Sequence, residues 1–385
     1  MTTRRTWTAR LLAAGAALGL LTGLAPAQVK IGFHAPLTGP AAADGKSALQ
    51  GAQIAVKQAN AAGGIGGSPV ELVSYDDQTK ADQAVALANK MVGDKLVAVV
   101  SGSYSGPTRS AATVFHQAGI PYVSAYAVHP DITTSGNFAF RTAFVGEVQG
   151  RGGAKLTGEA LGKKRVVMLT VNNDFGQSVA AGFKEAAPKF GITIVKEYNF
   201  GMGDRQFGPL VASVRADNPE AIYLVGYFFN GGPLVKQLRD AGIAVQIVGT
   251  EGIDGQTFID IVGAAAAEGV VITTALDRDS TDPETRGFID DYEKSFGGSK
   301  ADMVAASAHA AMKVVIENMR KAGTADPKAL RDAIAANTVP TVLGPLAFNR
   351  LGEVRKPLQI QVVKGGAWHR HSVIDDPVLL APPDR

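Results

Sequence analysis

The chain of 385 residues has no cysteine. That excludes disulfide stapling and the acylated cysteine that anchors a bacterial lipoprotein. Stability must come from a packed core, for which the 358 residues after position 27 are ample. A surplus of charge is missing too. Lysine and arginine number 38 against 35 acids, and Arg4, Arg5 and Arg10 account for the whole difference of +3. The remainder is balanced, so there is no basic footprint for nucleic acid or an anionic membrane. No apolar run beyond the first 27 residues approaches the roughly 20 needed to span a bilayer. Nor is there a low-complexity linker or an internal repeat.

The amino terminus has its own pattern. Three arginines precede the apolar run LLAAGAALGLLTGL (residues 11–24), and Ala25-Pro26-Ala27 follows as a small-x-small cleavage site. Residues 1–27 read as a secretory signal peptide. Without a lipoprotein cysteine, the exported protein is expected free in the periplasm of a two-membrane bacterium.

From residue 28 the chain alternates short apolar runs with amphipathic ones. Strands are expected at 29–33, 70–75, 96–100, 138–141, 165–170, 193–198, 221–225, 246–248 and 269–273, with helices at 45–60, 82–92, 147–161, 176–190, 206–216, 232–241 and 256–262. Strands separated by helices of that length imply an α/β fold of parallel sheets with right-handed crossovers. Between 282 and 336 the pattern becomes three helices, begun by Asp282-Pro283, Asp302 and Asp326-Pro327. GPLAFN (344–349) and LQIQVVK (358–364) read as a hairpin ending near Trp368. The length suits two domains of ordinary size.

Several catalytic motifs are approached and missed. Gly39-Pro40-Ala41-Ala42-Ala43-Asp44-Gly45-Lys46-Ser47 resembles a phosphate-binding loop, but five residues separate its glycines where four are required. Glycine runs at 63–67 and 201–208 do not form a dinucleotide fingerprint. Gly102-Ser103-Tyr104-Ser105-Gly106 has tyrosine where a nucleophile elbow needs serine. His369 and His371 lack a carboxylate or cysteine to complete a metal set and read as a solvated tail. No enzyme, metal or cofactor is expected.

The stretch 98–133 is the organising feature. It holds two strand–loop–helix starts in tandem, which would line a cleft at the carboxyl edge of a parallel sheet. In the first, Ser103, Ser105 and Thr108 bring hydroxyls beside the free N–H groups of a helix start. That suits a carboxylate, and it equally suits a plain helix cap. Glu251, just after a strand, is either a helix cap or an acceptor for an ammonium. Tyr104, Tyr126, Phe175, Tyr227, Phe228 and Phe229 fall at strand–loop junctions. A carboxylate clamp, an ammonium acceptor and aromatic walls describe a site for an amino-acid zwitterion.

LTGPAAADGKSALQGAQIAVKQANAAGGIGG and VELVSYDDQTKADQAVALANKMV, with the later VGTEG, AAEGVVITT and GPLAFN, resemble type I periplasmic binding proteins, and among them the branched-chain amino-acid-binding proteins of ABC importers. The resemblance spans nearly the whole chain after residue 27. It implies two Rossmann-like lobes with parallel sheets flanked by helices, joined by a three-crossing hinge, with ligand in the interlobe cleft. The amino-terminal lobe would comprise 28–145 with 275–353, and the carboxy-terminal lobe 146–274 with 354–385. By the resemblance, Ser105 holds the ligand carboxylate, Ala127 offers a carbonyl to the ammonium, Glu251 accepts the ammonium, and Tyr227 comes from the second lobe. Tyr104 and Phe175 would face the ligand side chain. Val128 stands where threonine is usual, keeping the N–H and losing the hydroxyl. Gly146 replaces a common aspartate at the first crossing. The implied ligand is leucine, isoleucine or valine, and the implied partner is an ABC permease, with the binding protein itself a monomer. Alternatives within the fold are another amino acid, an aromatic carboxylate or amide, or a role as a ligand sensor.

Overall fold

The computed structural model describes residues 28–384; the segment read as a signal peptide lies outside them. The first sheet is built from β1 (Val29–Ala35), β2 (Val70–Asp76), β3 (Ala98–Ser101), β4 (Tyr122–Ser124) and β5 (Ala139–Arg141). All neighbours are parallel, in the order β2-β1-β3-β4-β5. β3, β4 and β5 are buried at every residue because helices cover both faces of the sheet.

The second sheet holds β6 (Arg165–Val171), β7 (Thr193–Phe200), β8 (Ala221–Val225), β9 (Gln246–Gly249) and β10 (Val271–Thr274), all parallel. After a small pair, β11 (Val339–Thr341) with β12 (Gly344–Leu346), the chain returns to the second sheet as β13 (Leu358–Lys364) and β14 (Ala367–Ile374). Both run antiparallel to their preceding neighbour. The chain therefore passes between the two sheets three times, near residues 141–146, after Thr274 and before Leu358. Each sheet with its helices forms one lobe. We propose the lobe boundaries at 145/146, 274/275 and 353/354.

The carboxy-terminal hairpin differs from the sequence expectation. GPL (344–346) pairs with VPT, and LQIQVVK pairs with AWHRHSVI. The reason is the turn between the latter two. Gly365 and Gly366 have φ of +58° and +81°, and two successive positive values connect twisted antiparallel strands without splaying them. His369 and His371 thus lie on the exposed face of an edge strand, not in a free tail.

The three late helices start at the caps expected for them. The carboxylates of Asp282, Asp302 and Asp326 accept backbone N–H groups of Pro283–Ser295, Met303–Ala322 and Pro327–Ala336. The second packs along α1 (Ala42–Ala61) in the first lobe. Their contact is backbone to backbone: a Cβ at Gly51 would stand 2.0 Å from the Ala305 carbonyl oxygen. Gly51→Ala is expected to destabilise the protein by about 1–3 kcal/mol despite its better helix propensity, since the helices must move apart. Denaturant unfolding of the variant checks this, and equal midpoints would show that the helices slide freely.

Candidate functional site

The carboxyl ends of six parallel strands face one another across the gap between the lobes. From the first lobe, the chain after β1 carries Asp44 in the first turn of α1. After β3 come Tyr104 and Ser105, at the start of α3 (α2 being Ala81–Gly93 and α3 Ser105–Ala118). After β4 come Tyr126, Ala127 and Val128. From the second lobe, Phe175 follows β6, Tyr227 follows β8, and Glu251-Gly252 follows β9. This is the crevice beyond the strand ends where open α/β sheets bind ligands. Asp44, Tyr104, Ser105, Tyr126, Ala127, Phe175, Tyr227, Glu251, Gly252, Met303 and Val304 line the cavity between the lobes.

The lobes meet here. The Tyr104 and Tyr227 rings stack at 4.3 Å between centroids and 14° between planes. Phe175 and Phe229 pack on Tyr227 at 5.0 and 5.4 Å. At the lip, Arg109 Nε on α3 lies 3.0 Å from Asp174 Oδ2 at the start of the helix Asp174–Ala186. The structure is a closed form, with aromatic faces of the two lobes in contact.

Ser105 opens α3, so its own amide and that of Gly106 have no partner within the helix. Its Oγ accepts a hydrogen bond from the Val128 N–H at 3.1 Å, which leaves its own hydroxyl proton to donate. The Val128 amide is therefore used inside the protein, and the Val128 side chain is buried away from the cavity. Thr108 also turns inward, its hydroxyl 2.7 Å from Ser101 Oγ, so it belongs to the packing of α3 rather than to the cleft.

Ala127 borders the cavity, but its carbonyl is already occupied. Arg141 Nη1 donates to it at 3.2 Å and Ser124 Oγ at 3.3 Å. Two donors fill both lone pairs, so an ammonium would have to displace one of them. The expected role for this carbonyl does not suit the geometry.

Glu251 is the opposite case. Both carboxylate oxygens are buried, and neither has a hydrogen-bond partner among the described residues. Burial is the main force pushing its carboxyl up to about 8, and the nearby Asp254 adds to it. The amide of Glu251 and the buried Lys356 offset part of this, the amide without hydrogen-bonding geometry. The position is held by close approach: a Cβ at Gly252 would lie 2.2 Å from the Gly226 carbonyl oxygen. A buried carboxyl with no internal partner is suited to a cation brought from outside.

Asp44 is a site residue that the sequence pattern does not single out. It is 8% exposed, lines the same cavity, and accepts a 2.7 Å hydrogen bond from the Tyr104 hydroxyl. A signal is nonetheless present: it lies in the first helix after the first strand, the position at which an α/β crevice takes its residues. The near-match of its surroundings to a phosphate loop masks that signal. Met303 and Val304, from the helix begun by Asp302, also line the cavity, and nothing in their local pattern distinguishes them from core.

Gly146 has a local explanation. A Cβ there would stand 1.8 Å from Ser178 Oγ and 2.7 Å from Ser178 Cβ, so this first crossing has no room for an aspartate. Glu147 beside it does accept from Ser178 Oγ, at 3.3 Å.

The geometry agrees with what the chain is similar to. Residues 28–367 match the family model described as periplasmic binding protein. The Leucine-, isoleucine-, valine-, threonine-, and alanine-binding protein of Pseudomonas aeruginosa is 31% identical over 348 residues, covering 90% of this chain and 92% of that protein. The branched-chain amino acid transporter substrate binding protein LivJ of Streptococcus pneumoniae, in complex with isoleucine, superposes with a TM-score of 0.86 at 27% identity, covering 90% of this chain and 99% of that one. A solute binding protein of an ABC transporter from R. palustris, in complex with benzoate, has the same fold, with a TM-score of 0.84 at 20% identity over 93% of this chain and 98% of that one. Among the described residues no helix is long and apolar enough to cross a membrane. With two facing lobes and a cleft lined by strand ends, the chain belongs to the periplasmic binding protein family, whose members here are solute-binding proteins of ABC transporters and not enzymes.

Proposed function

We propose that this protein captures a small α-amino acid in the periplasm by lobe closure and hands it to an ABC permease. Glu251 carries the reading. Its two unpartnered, buried oxygens call for a cation, which an amino-acid ammonium supplies and a simple carboxylic acid does not. Across the cavity, the Ser105 hydroxyl and the free amides at the start of α3 suit the ligand carboxylate, helped by the helix dipole. Tyr104, Phe175 and Tyr227 form the wall for the side chain. Relatives that bind leucine, isoleucine and valine make these the first ligands to test.

A thermal-shift screen of amino acids against aromatic carboxylates decides the ligand class, because whatever binds the native state raises its melting temperature. Stabilisation by one or more amino acids is the expected result. Stabilisation by benzoates alone would replace this reading with a second one, for which the parallel Tyr104–Tyr227 stack gives a reason: a flat ring could slide between the two faces. Ser105→Ala removes one hydroxyl donor to a charged group and is expected to weaken amino-acid binding by about ten- to a hundredfold in calorimetry, since such a bond is worth about 1.5–3 kcal/mol. An unchanged affinity would move the carboxylate elsewhere.

A further inference from the structure

The cavity contains two carboxyl groups, Glu251 and Asp44, and among the described residues no lysine, arginine or histidine lines it. An α-amino acid with an aliphatic side chain supplies one ammonium and adds a carboxylate of its own. That cation can neutralise Glu251. It leaves Asp44 facing the cavity with only the Tyr104 hydroxyl as a hydrogen-bond donor among the described residues. Behind Asp44 the surroundings are also acidic. The nearby Asp302 accepts from Ser47 Oγ at 2.6 Å and from the Ala305 N–H at 2.8 Å, so its partners are neutral. Asp254 is matched by Arg278, which forms an ion pair with it, and by the Thr274 hydroxyl at 2.5 Å. No such counter-charge meets Asp44 among the described residues, and burial together with Asp302 pushes its carboxyl up to about 8. Glu251, about nine-tenths buried, with both oxygens unpartnered on the same cavity, points separately to a cation entering this space.

We infer that Asp44 is a specificity-determining residue that binds a second cation, at the side-chain end of the ligand, so that the preferred substrates are amino acids with a basic side chain. The inference rests on the amino-acid reading above, in which Glu251 takes the α-ammonium. Tyr104 assists Asp44 in this role. Its hydroxyl fixes one oxygen of Asp44.

Calorimetry of the chain from residue 28 onward with ornithine, lysine, norleucine and leucine tests this. Norleucine has a linear four-carbon side chain that lacks the terminal ammonium of lysine, so the comparison isolates that charge. Ornithine or lysine is expected to bind at least tenfold tighter than norleucine. Asp44→Asn, which keeps an acceptor for Tyr104, should abolish that preference, and a cooperative thermal transition of the variant near that of the wild type shows that it is folded. Titration in two buffers of different ionisation enthalpy should show more protons released by the basic ligand than by norleucine, with the excess lost in Asp44→Asn. Norleucine or leucine binding as tightly as the basic ligands, or a preference surviving in Asp44→Asn, overturns the inference and leaves the amino-acid reading standing. If no amino acid binds at all, the amino-acid reading itself has failed, and the inference fails with it.

Discussion

Glu251→Gln is expected to weaken amino-acid binding by at least a hundredfold, the largest effect of any single change in the cleft. Removing one member of a buried ion pair costs about 3–5 kcal/mol, because the other charge is left without compensation. Here the stranded group is the ligand ammonium, which would dissociate rather than stay buried. Calorimetry reads the loss directly, and a Kd within threefold of the wild type would remove Glu251 from the site. The same variant has a second signature in the unliganded protein. The native carboxyl is held at about 8 against 4.5 for the exposed group, so between these values the native state binds the proton and the unfolded state does not. Stability therefore falls as pH rises through that window, by at most about 1.4 kcal/mol per pH unit for one proton. Other buried groups titrate nearby with the opposite sign. His309 is pushed down to about 3 and Lys356 to about 7, each mainly by burial. The diagnostic quantity is therefore the difference between wild type and Glu251→Gln in denaturant unfolding at pH 5, 6 and 7. The variant is expected to gain relative stability at each step upward. A constant difference would mean that Glu251 titrates normally and is open to water.

Glu353→Ala is expected to cost about 3–5 kcal/mol of folding stability. Glu353 is 1% exposed and Arg141 is 0% exposed. They form a two-pronged pair, Nε to Oε2 and Nη2 to Oε1, both at 2.9 Å. Arg141 also donates to the Ala127 carbonyl, and the Thr133 hydroxyl bonds Oε1 of Glu353. One buried pair thus joins the end of β5, the loop after β4 and the segment leading into the last crossing. Removing the carboxylate strands a guanidinium in the core, and the loop carrying Tyr126 and Ala127 loses its anchor. Ligand affinity should fall along with stability. The double variant Arg141→Met with Glu353→Leu separates charge from packing: replacing a buried pair by apolar groups is close to neutral, so it should recover most of the stability. If Glu353→Ala unfolds at the wild-type denaturant concentration, the pair contributes nothing net.

Much of the cleft is legible along the chain because a parallel α/β sheet collects its ligand residues at one repeated place, the loop after each strand. Tyr104, Ser105, Phe175, Tyr227 and Glu251 each follow a recognisable apolar run, and each lines the cavity. Asp44 occupies the same kind of position, but there the near-match to a phosphate loop puts its glycines and lysine, rather than the acid, in the foreground. Ala127 and Val128 show the other limit. Spacing places their loop, but it does not say which of their backbone groups are already engaged. The Val128 amide goes to Ser105 Oγ, 23 residues earlier, and the Ala127 carbonyl goes to Arg141, 14 residues later.

By itself the sequence determined the alternation of strands and helices, the caps at Asp282, Asp302 and Asp326, and the absence of any catalytic or metal motif. These follow from local periodicity, from side chains bonding backbone a few residues away, and from composition. Only the tertiary structure decided which polar groups remain free. It left Glu251 with two empty oxygens, brought Asp44 to the same cavity from more than 200 residues away, and set Ser178 where it leaves no room for a side chain at Gly146. The reason is that hydrogen-bond satisfaction and close approach depend on neighbours in space. In a chain that passes three times between two lobes, those neighbours come from distant parts of the sequence.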